Sequence, residues 1–91
     1  MAITTSKLLA HTLREFRYQL SLSQVDVAKL AAVKQTTISA FENNPDATKL
    51  ETFFKILSAL ELELSIQPRP KIKQNSEEVI NNTNNNIDED W

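Results

Sequence analysis

The chain has 91 residues, 10 Lys and Arg against 12 Asp and Glu, a formal net charge of -2, and no Gly, no Cys and one His. Without Gly there is no Gly-rich loop to cradle a phosphate or dinucleotide, and without Cys there is no disulfide framework, thiolate nucleophile or Cys-containing zinc site. His11 alone supplies neither a His-paired metal site nor a triad, so no cofactor, no metal and no enzymatic activity are expected.

No run approaches the roughly 18 apolar residues of a membrane span. The opening MAITTSKLLAHTLREF lacks the apolar core of a secretion signal, so a soluble, cytoplasmic protein without a membrane partner is expected.

The first predicted helix covers about Lys7 to Gln19, with Ser6 as N-cap and Leu9, Leu13, Phe16 and Leu20 on one stripe. Arg14, Tyr18 and His11 fall away from that stripe. A second helix starts from Ser23 as N-cap and runs through QVDVAKLA. The third runs from about Gln35 to Asn43, where Asn43-Asn44-Pro45-Asp46 stops it. Thr48-Lys49-Leu50-Glu51 reads as a capping box opening a fourth helix, whose apolar face is Leu50, Phe53, Phe54, Leu57 and Leu60.

Residues 61–67, ELELSIQ, then alternate with period two until Pro68. A lone strand leaves its backbone groups without partners, and no other segment reads as a strand. Leu62, Leu64 and Ile66 are therefore expected to form a strand that pairs with a second copy across a homodimer; an extension of the fourth helix, or coil, is the alternative. Residues 1–67 form the expected folded and dimerising domain. Residues 68–91, with six Asn and few large apolar side chains, are expected to be a disordered tail. A core of about 65 residues is marginal by itself, which also favours oligomerisation.

Charge divides unevenly: residues 1–41 carry +3, residues 42–67 carry -3 and the tail -2. A nucleic-acid binder needs only a local basic face, and the first segment provides one.

The most specific signal lies in residues 24–43. Counted from Gln24, the fifth residue is the small Ala28. Positions four, eight, ten, fifteen and eighteen are Val27, Ala31, Val33, Ile38 and Phe41, all apolar. Two short helices crossing steeply at a small residue produce this spacing, that of a helix-turn-helix. The third helix then exposes Gln35, Thr36, Ser39 and Asn43 opposite Ile38 and Phe41. Gln35 suits the N6 and N7 edge of adenine, Thr36 suits thymine, and Lys34 suits guanine or a phosphate. Ser23 and Gln24, at a helix N-terminus, suit phosphate. The bland readings are a cap for Ser23 and a solvated face for Thr36 and Ser39.

Over about residues 7–60 the sequence resembles the Cro and phage-repressor class of helix-turn-helix proteins. Read with KQTTISAFENNPDATKLETFFKILSALELEL and Trp91, it resembles the HipB-type antitoxins over nearly the whole chain. That resemblance implies a mostly α, small helical DNA-binding domain with one C-terminal β-strand pairing across the homodimer. It implies palindromic double-stranded operator DNA and a HipA-type Ser/Thr kinase toxin as partners, and repression of the chain's own toxin–antitoxin operon. It favours Lys34, Gln35, Thr36 and Ser39 as base readers, with Ser23, Gln24, Thr37 and Asn43 on phosphates. It pairs Arg17 with Glu42 as an internal salt bridge, phosphate contact being the alternative for Arg17, and makes Trp91 an anchor for the toxin. A stand-alone phage-type repressor without a toxin is the other functional reading. The ninth position of the helix-turn-helix, where the class usually has Gly at a left-handed turn, is Ala32 here.

Overall fold

The computed structural model describes residues 2–70. They fold as α1 (Ser6–Gln19), α2 (Gln24–Ala31), α3 (Gln35–Asn43), a single 3-10 turn (Pro45–Ala47) and α4 (Leu50–Ala59). No helix among the described residues is long and apolar enough to cross a membrane.

The N-terminus of α1 is capped one residue earlier than Ser6. Thr5 has extended backbone, and its hydroxyl accepts from the Leu8 N–H over 3.0 Å. Ser6 instead donates to Asp46 Oδ1, tying α1 to the 3-10 turn. At α2 Ser23 is the cap, within a reciprocal box: Ser23 Oγ accepts from the Asp26 N–H, and the Ser23 N–H donates to Asp26 Oδ2. No such box opens α4. Thr48 closes the 3-10 turn with its N–H on the Pro45 carbonyl, so the N-cap shifts to Lys49, which has no side chain that can accept.

Three helices end alike. The N–H of Leu22, Val33 and Leu62 reaches back to the carbonyl of Arg17, Ala28 and Leu57 respectively. Each bond passes over a left-handed residue: Ser21 at φ 59°, Ala32 at φ 60° and Glu61 at φ 60°. This closure satisfies carbonyls that the helix leaves open and normally takes Gly at the left-handed position. Here an apolar residue follows each time, and Leu22, Val33 and Leu62 all pack against the core. Partial burial of these side chains offsets some of the left-handed cost, which is on the order of 1 kcal/mol.

The core is built from Ala10 and Leu13 of α1, Val27 and Ala28 of α2, Ile38 and Phe41 of α3, and Phe53, Ile56, Leu57 and Leu60 of α4. Ala28 is buried where α2 meets α3, and Ile38 and Val27 are the largest fully enclosed side chains. Phe41 and Phe53 join α3 to α4 with ring centroids 6.5 Å apart. The inward faces of α1 and α4 differ from the stripes expected of them. On α1 the buried positions are Ala10, Leu13 and Arg17, while Phe16 and Leu20 are exposed. On α4 they are Phe53, Ile56 and Leu57, while Leu50 and Phe54 stand outside. Leu50 is the first residue of α4, overhanging the edge of the core.

Residues 62–70 are neither helix nor strand. They do not extend α4, which closes at Leu60, and no strand forms among the described residues. Leu62 turns into the core, whereas Leu64 is 49% and Ile66 87% exposed. An open apolar groove of about 660 Å³ runs beside this segment, lined by Ile3, Leu9, Phe16, Leu57 and Leu64 among others.

Candidate nucleic-acid interface

The N-termini of α2 and α3 lie side by side, within side-chain hydrogen-bond reach at Gln24 and Gln35, and the small Ala28 is buried in the packed pair of helices. The residues at these two ends are linked by side-chain hydrogen bonds running from the interior to the surface. Arg17 Nε donates to Glu42 Oε2 over 2.7 Å, and its Nη2 donates to Glu42 Oε1 over 3.0 Å. The Arg17 Nη1 donates to the Leu22 carbonyl over 3.0 Å, fastening the α1–α2 turn. Gln24 Nε2 donates to the same Glu42 Oε1 over 2.9 Å, and Gln24 Oε1 accepts from Gln35 Nε2 over 2.6 Å. The first residue of α2 thus bridges the buried ion pair to the first residue of α3.

Burial pushes the Glu42 carboxyl upward, but hydrogen bonds from Arg17 and Gln24, with the charges of Arg17 and Arg14, bring it below its ordinary range. The bond to Glu42 holds Arg17 more firmly protonated. At the start of α2, the Asp26 carboxyl is lowered chiefly by the Ser23 backbone N–H, then by the Ser23 hydroxyl.

Among the residues assigned to bases, Lys34, Gln35 and Thr36 are exposed and Ser39 is half-buried. Gln35 spends one amide N–H on Gln24 and keeps an N–H and Oε1, the donor and acceptor that an adenine edge requires. Ser39 Oγ accepts from Asn43 Nδ2 over 3.2 Å, leaving its own proton to donate. Among those assigned to phosphates, Ser23 and Asn43 are exposed, while Gln24 and Thr37 are half-buried. The Ser23 hydroxyl is engaged with Asp26 in the capping box. Thr37 does not share the Gln35–Ser39 side. With Thr36, Ala40, Asn44 and Lys49 it lines a shallow recess between α3 and the start of α4. Trp91 and the tail beyond Pro70 lie outside the described residues.

Sequence reading missed the bridging position of Gln24, because periodicity carries no information about which side chains meet across two helices. Lys49, at the start of α4, lines that recess opposite the exposed Ala40 of α3. Among the described residues no group of three His, Cys, Asp or Glu is placed to hold a metal ion.

Residues 13–67 match the family model described as helix-turn-helix. Antitoxin HipB of Escherichia coli strain K12 is 50% identical over 58 residues, covering 64% of this chain and 66% of that protein. The match therefore spans just under two thirds of that relative's length. Antitoxin HigA1 of Mycobacterium tuberculosis strain H37Rv is 40% identical over 58 residues, covering 64% of this chain and 39% of that protein. Among solved structures, a chain of the HipA-HipB-O2-O3 complex superposes with a TM-score of 0.75 at 43% identity, covering 77% of this chain and 99% of that one. A chain of a HipB-O4 20mer complex gives the same TM-score, identity and coverage.

Proposed function

The chain belongs to the helix-turn-helix family, and on that premise we propose that it is a DNA-binding antitoxin. It represses its own toxin–antitoxin operon as a dimer, and it binds and neutralises a HipA-type Ser/Thr kinase toxin. The observation that carries this reading is the hydrogen-bonded row ending in Gln35, on a fold that matches 99% of a chain of the HipA-HipB-O2-O3 complex. A recognition helix whose first side chain is held by the preceding helix meets the groove already oriented.

Lys34, Gln35, Thr36 and Ser39 read bases from α3, with Ser23, Gln24, Thr37 and Asn43 on the flanking phosphates. Residues 1–67 act as the DNA-binding and dimerisation unit, and the strand partner of Leu62, Leu64 and Ile66 comes from a second copy. The exposed Leu64 and Ile66 and the open groove beside them support this pairing. Trp91, a large aromatic in an Asn-rich, acidic stretch, is suited to insert into a toxin pocket as an anchor. The protein works in the bacterial cytoplasm and is held at the nucleoid when bound to its operator.

Affinity purification from the native host, with mass spectrometry and footprinting of the DNA upstream of its coding sequence, tests the reading. It expects a kinase-like protein in the eluate and two protected half-sites one or more helical turns apart. An eluate without a kinase refutes the antitoxin assignment, and an unprotected upstream region refutes the repressor assignment. Removal of Trp91 with undiminished toxin binding refutes the anchor.

A further inference from the structure

Arg17 and Glu42 neutralise each other, which leaves Arg14 as a surplus cation beside them. Arg14 lies nearly one turn before Arg17 on α1, with its side chain 45% exposed and its Nε 4.0 Å from Glu42 Oε1. That carboxylate already accepts two bonds from Arg17 and one from Gln24. Arg14 is held by Tyr18 instead. Its Nε donates to Tyr18 Oη over 2.9 Å, and its guanidinium carbon lies 5.6 Å from the ring centroid. The Arg17 guanidinium carbon lies 4.7 Å from the same centroid, so the ring of Tyr18 is itself braced. The bond to Tyr18 also favours the protonated form of Arg14.

We propose that Arg14 is a backbone-phosphate anchor at the edge of the recognition surface, with Tyr18 as its positioning residue. The proposal rests on the reading of that surface as duplex-binding. Arg14 adjoins Glu42, which is bonded to Gln24, which is bonded to Gln35. It therefore stands at the opposite end of the row from the base-reading side chain. That is where an element seated in the major groove meets the flanking sugar–phosphate strand. With Nε on Tyr18, the four Nη protons of the fork make no hydrogen bond among the described residues, and two parallel N–H groups match a phosphate. An exposed arginine ordinarily gives up much rotamer freedom on binding; the Tyr18 bond and stacking restrict Arg14 beforehand.

The test uses the full chain and two duplexes, the segment immediately upstream of its coding sequence and a shuffled control. Salt titrations are run for the wild type, Arg14→Gln, Arg14→Lys, Tyr18→Phe, the Arg14→Gln/Tyr18→Phe double variant and Gln35→Ala. Arg14→Gln weakens binding to both duplexes about tenfold and flattens the salt dependence by about one unit of slope per half-site. Arg14→Lys keeps the slope but not the full affinity. Tyr18→Phe loses a smaller factor and adds nothing to Arg14→Gln, because its contribution acts through that guanidinium. Thermal unfolding of Arg14→Gln is unchanged. The anchor is overturned, with the surface assignment intact, if Gln35→Ala weakens binding while Arg14→Gln changes neither affinity nor slope. It is also overturned if lost affinity tracks lost thermal stability at constant slope. If the wild type binds neither duplex, the surface assignment fails and the anchor fails with it.

Discussion

Arg17 and Glu42 meet through two hydrogen bonds of 2.7 and 3.0 Å, with side chains only 9% and 5% exposed. The pair joins the middle of the fold, since α1, the α1–α2 turn, α3 and the first residue of α2 all end on it. Removing one partner strands the other charge in the interior at a cost of about 3–5 kcal/mol. Arg17→Met or Glu42→Leu should therefore each lower stability by about that amount in denaturant unfolding. The double variant should lose distinctly less than the sum, because it buries no unpaired charge. Additive losses would show that the pair is not coupled in solution.

The same pair sets the acid limb of stability. The folded Glu42 carboxyl lies below its ordinary value of 4.5. A depressed carboxylate contributes fully above the unfolded value and loses its contribution as pH falls through the folded one. Asp26 behaves likewise below its ordinary 3.8. The melting temperature should thus stay level from neutrality to about pH 5 and fall below that. Glu42→Gln should show a lower plateau and a shallower acid limb. An acid limb parallel to that of the wild type would place the responsible carboxylate elsewhere.

Gln24 and Gln35 share one hydrogen bond, so their contributions to operator binding should not be independent. Gln35→Ala should weaken binding by about 1–3 kcal/mol. Gln24→Ala should weaken it less, by releasing Gln35 from its orientation. The double variant should fall short of the sum by about 0.5–1 kcal/mol. Full additivity in a binding titration would mean that Gln24 touches the duplex without positioning Gln35.

The helix-turn-helix was legible because its constraint is steric. Two helices that cross closely need Ala28 at the crossing and Val27, Ile38 and Phe41 beneath, whatever surrounds them. Arg17 was harder to place. It lies four residues after Leu13 and so on the inward face of α1, but a charged residue does not register as core in an apolar stripe. Phe16 and Leu20 were misplaced for the converse reason: large apolar residues at helical spacing look inward, yet Phe16 lines the open groove with Ile3 and Leu64. The cap assignments at Ser6 and Thr48 each missed by one residue. In each case a neighbouring turn decides the register, Ser6 being drawn to Asp46 and Thr48 to Pro45. The polar row was the least legible, since it needs three helices in place before Gln24, Gln35 and Glu42 meet.

Ala32 at φ 60° occupies the left-handed turn that its count within the helix-turn-helix marks, and Glu61 adopts the same conformation where sequence reading placed a strand. Neither has the freedom of Gly, and a Cβ in this region costs on the order of 1 kcal/mol. Ala32→Gly and Glu61→Gly should each stabilise by about 0.5–1 kcal/mol, raising the melting temperature by several degrees for a domain of this size. A clear fall for Ala32→Gly would show that the turn is not left-handed in solution.

Leu64 and Ile66 expose 49% and 87% of their surface beside a groove that also exposes Ile3 and Phe16. Backbone and side chains of this segment both want partners, and pairing with the same segment of a second copy would provide them by two-fold symmetry. Leu64→Asp with Ile66→Asp should leave the chain monomeric in sedimentation equilibrium, and the helical core, in which Leu62 still fills its site, should keep its fold but melt lower because dimerisation no longer stabilises it. Operator affinity should fall by about a hundredfold or more, because the second half-site is then bound from solution rather than at the effective concentration a linked partner provides. A dimer that survives both substitutions would move the interface to the outer face of α4, where Leu50 and Phe54 are exposed.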